Sequence, residues 1–358
     1  MDMRLSAPTA NAVSPSNRRR LPLGGWELAL VLLLVAVLVG FALLAPGFYA
    51  GPASLLGLTE NFLPFGIVAL GLSLVIFTGG IDLSVGAVAG LSAVLAAQLW
   101  SHFGVDIWLA AAIGIVVGGL LGLVNATVIL RLNIEPLIAT LGTSFVYGSA
   151  AVAAAGAAPP SGFPEGFTAL GTAAIGIGPA AGLVPLQLLL FAVLAVVFAA
   201  LVGRSPFGRK LVTVGYNIEA ARYSGMRTGR ILVTAYVVSG AMASLAGLVL
   251  ASYYDAVRPD MGDVLLLTTI TIVVLGGVSI FGGEGTITGV VVAVLLLGFL
   301  RQGMLIAGFS DMVTTMLTGA ILLASIAVKN LFNRRGTGLF NQIWAMIRRP
   351  EPPRANPS

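Results

Sequence analysis

Long uncharged apolar runs dominate the chain, and short segments between them hold most of the charges. A helix needs about 20 mostly apolar residues to cross a bilayer. Runs of roughly that length recur along the sequence, so we predict an all-α, polytopic membrane protein with about ten transmembrane helices. Their expected positions are 26–45, 55–78, 84–101, 106–130, 136–155, 183–203, 231–253, 264–281, 286–306 and 312–330.

The composition agrees with this pattern. Hydrophobic residues make up 58% of the chain and charged residues 9%, with a mean hydropathy of +1.01. A soluble domain carries about 25% charged residues, so most of this surface must face lipid. The chain has no cysteine and one histidine, His102, which excludes disulfides and multi-histidine metal sites. The basic residues cluster at helix ends, so we assign them to loop orientation and expect no nucleic-acid partner.

The distribution of positive charge predicts the orientation. If the amino terminus lies inside and ten spans alternate, 17 of the 19 Lys and Arg residues fall on the inner side. Basic loops resist translocation, so we expect both termini in the cytoplasm. The predicted domains are a basic tail (1–25), a transmembrane domain (26–330), and a cytoplasmic tail with a short interfacial helix (331–358). The proline- and glycine-rich outer loop 156–182 is predicted to contain no regular helix.

The first apolar run has a second interpretation. Arg18, Arg19 and Arg20 precede it, as basic residues precede the apolar core of a secretory signal peptide. The run from Leu28 to Ala45 is 18 residues without a charge, longer than the usual core of about 7–15. This favours a retained anchor. Charge counting does not distinguish an anchor from a cleaved signal peptide. Cleavage would leave nine spans, and every remaining loop would lie on the same side of the membrane as before.

Catalytic and nucleotide-binding motifs do not occur in the sequence. There is no Gly-x-x-x-x-Gly-Lys-Ser/Thr phosphate loop, and neither Lys210 nor Lys329 follows such a frame. No Gly-x-Ser-x-Gly elbow and no His-Glu-x-x-His pair occurs either. We therefore predict a non-catalytic subunit without a cofactor or metal site of its own.

The basic loop 204–230 has the pattern of a short capped helix. Asn217 can accept a backbone N–H at its start, and Gly225 can end it in the left-handed conformation. Such a helix, parallel to the membrane, would act as a rigid lever. Composition alone favours the alternative, a solvated basic loop that only sets topology.

Four motifs carry a family resemblance. Glu219-Ala220-Ala221 followed by Gly225 resembles the coupling loop of ABC-importer permeases. The segments 78–86, 135–143 and 274–286 resemble three further motifs of the branch that serves ribose, xylose, rhamnose, autoinducer and related sugars, within the branched-chain amino-acid/sugar permease superfamily. They occur in family order across 55–330. Glu135 is a departure, since an apolar, polar or small residue is commoner there, and this leaves any local charge role open.

The resemblance implies the partners. These are two cytoplasmic ATPases that hold ATP and Mg, an external sugar-binding protein, and a second permease chain, the same or paralogous, in the inner membrane of a bacterium. It also implies that the coupling loop contacts the ATPase through Glu219, Ala220, Ala221, Arg222 and Gly225.

Polar residues within the apolar runs are candidates for the substrate path or gate. Hydroxyl groups on one helix face suit a polyol, although they also suit helix packing. Asp82 can instead cap the following helix, where the helix dipole stabilises it by about 0.3–1 kcal/mol, and Asn125 can instead join two helices. The candidates are Asp82, Ser84, Asn125, Thr140, Thr143, Ser144 and Tyr147.

Acidic residues on the predicted outer side, Asp255, Asp260 and Asp263, are candidates for docking the binding protein. The function predicted from all of these features is the permease subunit of an ATP-driven monosaccharide importer. The alternatives are an amino-acid or nucleoside ABC permease, a secondary transporter driven by an ion gradient, and a membrane anchor that does not conduct.

Overall fold

A computed structural model describes residues 25–45, 48–49, 51–176 and 183–335, with side chains described up to Ser325. The expected amino-terminal tail, up to residue 24, and the expected interfacial helix beyond residue 335 lie outside the described residues.

The described part of the chain is helical, apart from two strands of two residues each. Every predicted span coincides with a helix, which confirms the all-α, polytopic class. Among the described residues, seven helices are long and apolar enough to cross a membrane alone: α1 (Gly25–Leu44), α4 (Val85–Phe103), α5 (Ile107–Leu132), α6 (Pro136–Ala155), α8 (Leu186–Gly203), α11 (Thr228–Tyr254) and α13 (Ile287–Ile306).

The remaining predicted spans differ in form. α2 (Pro52–Gly57), a 3₁₀ helix (Leu58–Asn61) and α3 (Leu63–Phe77) together make one further candidate span, bent by 54°. The two others are α12 (Asp263–Leu275) and α14 (Asp311–Arg335), whose apolar parts are shorter. The described residues thus supply up to eight spans by length and composition, against the ten predicted. The other elements are α7 (Glu165–Thr172), α9 (Pro206–Tyr216), α10 (Ile218–Tyr223), α12 (Asp263–Leu275), α14 (Asp311–Arg335), β1 (Ala174–Ile175) and β2 (Val184–Pro185).

The core surrounds α3, whose 15 residues are all buried. Helices α5 and α11 cross next to it, at glycines. A Cβ at Gly122 would overlap the carbonyl oxygen of Tyr236, and one at Gly240 would overlap that of Gly118. Small residues let membrane helices approach closely, so this crossing fixes the distance between the two longest helices of the described chain.

The outer loop corrects one prediction. Within 156–182 the chain forms α7, and β1 pairs with β2 beyond it. The cause is an aromatic cluster: Phe163 and Phe167 stack on each other at 5.1 Å, Phe163 lies 5.0 Å from Trp100, and Phe167 lies 5.9 Å from Trp108. Burial of the Phe163 and Phe167 rings stabilises a helix that proline and glycine content alone does not predict.

The loop between α11 and α12 enters the membrane-spanning region. It begins beside Phe163, whose N–H donates to Asp255 Oδ1 at 2.7 Å. It then packs along α4, with Pro259 against Gly90 and Gly262 against Gly86.

The length of α4 along this loop gives the depth at which α12 begins. From Trp100, which contacts Phe163, to Gly86, α4 spans roughly 20 Å. Therefore α12 starts deep in the molecule, which corrects the expectation of a start at the outer surface.

The α5–α11 crossing gives the first prediction. Gly122→Ala should lower the free energy of unfolding by about 1–3 kcal/mol, because the added methyl group overpacks a rigid backbone contact. The measurement is thermal unfolding of the purified chain in detergent. Gly142→Ala in α6 is the matched control, since a Cβ there has no atom within 4 Å. Equal effects of the two substitutions would contradict the assignment.

Candidate functional site

The basic loop forms two short, capped helices. Ser205 Oγ accepts from the Gly208 N–H at 3.2 Å to start α9, and Asn217 Oδ1 accepts from the Ala220 N–H at 2.9 Å to start α10. Gly225 follows α10 with φ +81°. The sequence predicted the Asn217 cap and the left-handed Gly225.

Helix α10 presents a polar face to solvent. Glu219, Ala220 and Arg222 are exposed, whereas Ala221 is buried. This geometry leaves Glu219, Ala220 and Arg222 available to a partner, whereas the Ala221 side chain packs inward and is not available. Their role in coupling stays a prediction.

Helix α9 ends in a contact made only of backbone. A Cβ at Gly215 would overlap the carbonyl oxygen of Phe77 and the amide of Gly283, and the Gly283 N–H donates to Phe77 O at 2.9 Å. Gly282 lies against Gly79, and both have positive φ, +85° and +80°. We call these five residues the glycine junction. It joins loop 204–230 to the ends of both glycine-broken segments, one after α3 and one after α12.

Beyond the junction, the break before α4 is held by a buried polar network of Asp82, Ser84, Asn125, Tyr147 and Ser239. Asp82, 1% exposed, accepts from the Ser84 N–H (3.0 Å) and Oγ (2.6 Å) through Oδ1, and from Ser239 Oγ (3.2 Å) through Oδ2. Asn125 Nδ2 donates to Ser84 Oγ at 2.7 Å, and Tyr147 OH donates to Asn125 Oδ1 at 3.2 Å. The network therefore ties the break to α5, α6 and α11.

The depth of this network follows from its helical members. Ser239 lies 11 residues after Thr228, the start of α11, which is roughly 16 Å along the helix. Asn125 lies seven residues before Leu132, the end of α5, or roughly 10 Å. The network thus lies within the membrane thickness, in the half nearer the basic loops. We call that side of the molecule, which carries Arg131 and loop 204–230, the basic side.

The hydroxyl groups of α6 do not share one role. Thr140 Oγ1 accepts from the Leu83 N–H at 3.1 Å and so pins the break. Thr143 donates to the carbonyl of Thr140 at 3.2 Å, within its own helix. Ser144 lines a cavity. Glu135 lies exposed at the start of α6.

That space, which we call the central cavity, has a volume of about 510 Å³. Two of the acids predicted to dock a binding protein, Asp260 and Asp263, lie in its wall, whereas Asp255 lies at the outer loop beside Phe163. Its wall comes from α4, α6, α12 and the loop before α12: Leu83, Gly86, Ala87, Ser144, Phe145, Gly148, Ser149, Val152, Pro259, Asp260, Asp263 and Leu266.

Two ion pairs lie beside the central cavity. Arg258 binds Asp260 through two hydrogen bonds of 3.0 and 2.7 Å, and Arg301 binds Asp311 at 2.7 Å. The side chains of Arg258 and Asp260 are 71% and 52% exposed. Charged groups at membrane depth face a bundle interior or a water-filled space rather than lipid tails. The surface that carries these two ion pairs is therefore covered by water or by another protein.

Sequence reasoning missed Gly215, Ser239 and Tyr236. The Tyr236 hydroxyl is buried without a hydrogen bond among the described residues and fits against Gly80. The partners of these residues are distant along the chain, so no local pattern identifies them.

Within the described residues, no group of three or more His, Asp or Glu side chains could hold a metal ion.

Comparison with known proteins gives consistent matches. The family model described as branched-chain amino acid transport system / permease component matches residues 54–326. The autoinducer 2 import system permease protein LsrD of Klebsiella pneumoniae subsp. pneumoniae is 39% identical over 312 residues, which cover 86% of this chain and 92% of that protein. The LsrD proteins of Enterobacter sp. (strain 638) and Yersinia enterocolitica are 37% and 36% identical, with 86% of this chain and 93% and 92% of theirs covered. No solved structure matches the chain.

The polar network gives the second prediction. Asp82→Ala should destabilise the fold by about 1–3 kcal/mol, because three buried donors lose their acceptor. Thermal unfolding in detergent measures the effect. Thr127→Val is the control, since Thr127 is half-buried and donates only to Leu123 O of its own helix. An unfolding temperature of Asp82→Ala equal to that of the control would show that the network contributes no stability.

Proposed function

The chain belongs to the branched-chain amino acid transport system / permease component family, and from this premise we propose that it is the membrane subunit of an ATP-driven importer for a small, sugar-like molecule. One observation carries the proposal. The glycine junction connects the coupling loop, through the break at Asp82, to the wall of a central cavity that has the chemistry of a polyol site.

The cavity lining favours a neutral, hydroxyl-rich substrate. Ser149 can donate and accept hydrogen bonds, and Ser144, whose hydroxyl donates to Leu141 O at 2.7 Å, can accept one. The carboxylates of Asp260 and Asp263 can accept from substrate hydroxyls. Phe145 offers a ring face for the apolar side of a sugar-like ring. The relatives' names refer to import of autoinducer 2, which supports a sugar-type substrate over an amino acid.

The energy for transport comes from a separate cytoplasmic ATPase that holds ATP and Mg. This chain performs no covalent chemistry. The ATPase docks on the exposed face of α10, at Glu219 and Arg222, with Gly225 ending the helix. A movement of α10 and α9 shifts the glycine junction, and with it both broken segments. ATP and the loaded binding protein then stabilise different states of the pore.

The remaining partners follow from the exposed charges. Asp255 lies near the outer loop, where an external binding protein arrives. A second permease chain covers the charged face that holds Arg258 and Asp260, because lipid cannot. The chain lies in the bacterial cytoplasmic membrane with both termini inside.

Reconstitution tests the function directly. Proteoliposomes that contain this chain, its partner permease and the ATPase should take up labelled sugar or autoinducer only when ATP is inside and the binding protein outside. The comparison is the same vesicles under an imposed proton gradient without ATP. Uptake driven by that gradient alone would identify a secondary transporter and contradict the proposal.

The glycine junction gives a further prediction. Gly215→Ala should abolish ATP-driven uptake or lower it at least about tenfold, because the methyl group separates α9 from Phe77 and Gly283. ATPase binding and membrane insertion should persist, since α10 is untouched. The control is Gly203→Ala at the end of α8, where a Cβ has no atom within 4 Å. Normal uptake by Gly215→Ala would show that movement takes another route.

A further inference from the structure

A second cavity, of about 440 Å³, lies where α9, α10 and α11 converge on the basic side. Lys210 of α9, Arg227 of the turn after α10, and Arg230 of α11 contribute the charges of its wall, and Met226 and Ile231 contribute apolar surface. We propose that this basic cavity binds the phosphate of an anionic phospholipid in the adjacent leaflet.

The charge of the cavity favours an anion. Its lining contains three cations and no acid. Within the described part of the chain, the side chains of Lys210, Arg227 and Arg230 form no ion pair and donate no hydrogen bond, whereas Arg258 and Arg301 each have a carboxylate partner. Like charges around one cavity repel, and a bound phosphate oxyanion removes that repulsion.

The cavity is held in shape by the turn that forms its wall. The Met226 N–H donates to Ala221 O at 3.1 Å, and the Thr228 N–H donates to Met226 O at 2.9 Å. Ser224 Oγ donates to the same Ala221 carbonyl at 2.8 Å. Arg227 is the residue before α11 and Arg230 lies in its first turn, and both line the cavity. The cations are therefore presented together before any ligand arrives.

The position of the cavity selects a lipid among anions. Ile231 is buried and begins the uncharged run of α11, which continues to Tyr254. The cavity thus lies at the boundary between the basic loop and the membrane, where lipid phosphates lie. Its apolar part, Met226 and Ile231, matches the glycerol and first acyl carbons beside such a phosphate. Basic pockets between membrane helices on the cytoplasmic side hold anionic headgroups in this way.

Native mass spectrometry of the detergent-purified chain, titrated with phosphatidylglycerol or phosphatidylcholine, tests the proposal. The triple variant Lys210→Gln/Arg227→Gln/Arg230→Gln should bind phosphatidylglycerol on the order of 100-fold more weakly, at about fivefold per charge. The matched control is Arg131→Gln/Arg204→Gln/Arg209→Gln, which removes three basic-side charges that do not line the cavity and should weaken binding less than about threefold. Arg230→Gln alone, expected to lose about fivefold, keeps the test valid if the triple variant folds poorly.

Three results would overturn the proposal. Equal losses in the triple variant and its control would mean that binding depends on overall charge. Displacement of phosphatidylglycerol by inorganic phosphate at equal concentration would identify a free phosphate site. Unchanged lipid binding by the triple variant, together with loss of ATPase binding in a pull-down, would assign the cavity to an acidic surface of the ATPase.

Discussion

The backbone contact of Gly215 with Phe77 and Gly283 is the constraint on which the proposed mechanism depends. A subunit without an energy source of its own must receive movement through contacts that do not yield. Side chains can change rotamer and absorb a small displacement, but backbone segments in direct contact have no such freedom. Glycine permits this contact at Gly215, and at Gly282 and Gly283 it also permits the positive φ that the turn requires.

The buried polar network continues this connection into the membrane. A carboxylate at this depth is stable only when its oxygens are satisfied, and Asp82 meets that condition through Ser84 and Ser239. Hydrogen bonds of defined geometry hold the segment before α4 against α5, α6 and α11. Leu83, Gly86 and Ala87, in and beside that segment, lie in the wall of the central cavity. The same short stretch of chain thus meets the glycine junction at one end and the cavity at the other.

The sequence predicts local features well and distant contacts poorly. Apolar runs predict the helices because hydropathy is a local property, and Asn217 and Gly225 predict the ends of α10 because capping depends on neighbouring residues. Ser239 contacts Asp82 across 157 positions, and no periodic pattern connects them. The sequence predicts that Asp260 and Asp263 lie on the outer surface, because charge counting assumes that each loop stays outside the bilayer. The loop before α12 instead follows α4 inward.

The central claim is that movement of the coupling loop reaches the central cavity. The chain has no native cysteine, so spin labels can be placed at Phe145→Cys in α6 and Val264→Cys in α12, both exposed beside the cavity. Double electron–electron resonance on the reconstituted complex then measures the distance between the two labels in the nucleotide-free and ATP-bound states. The account predicts that ATP changes the distance between the two labels. Identical distance distributions in both states, in a complex that hydrolyses ATP, would contradict it.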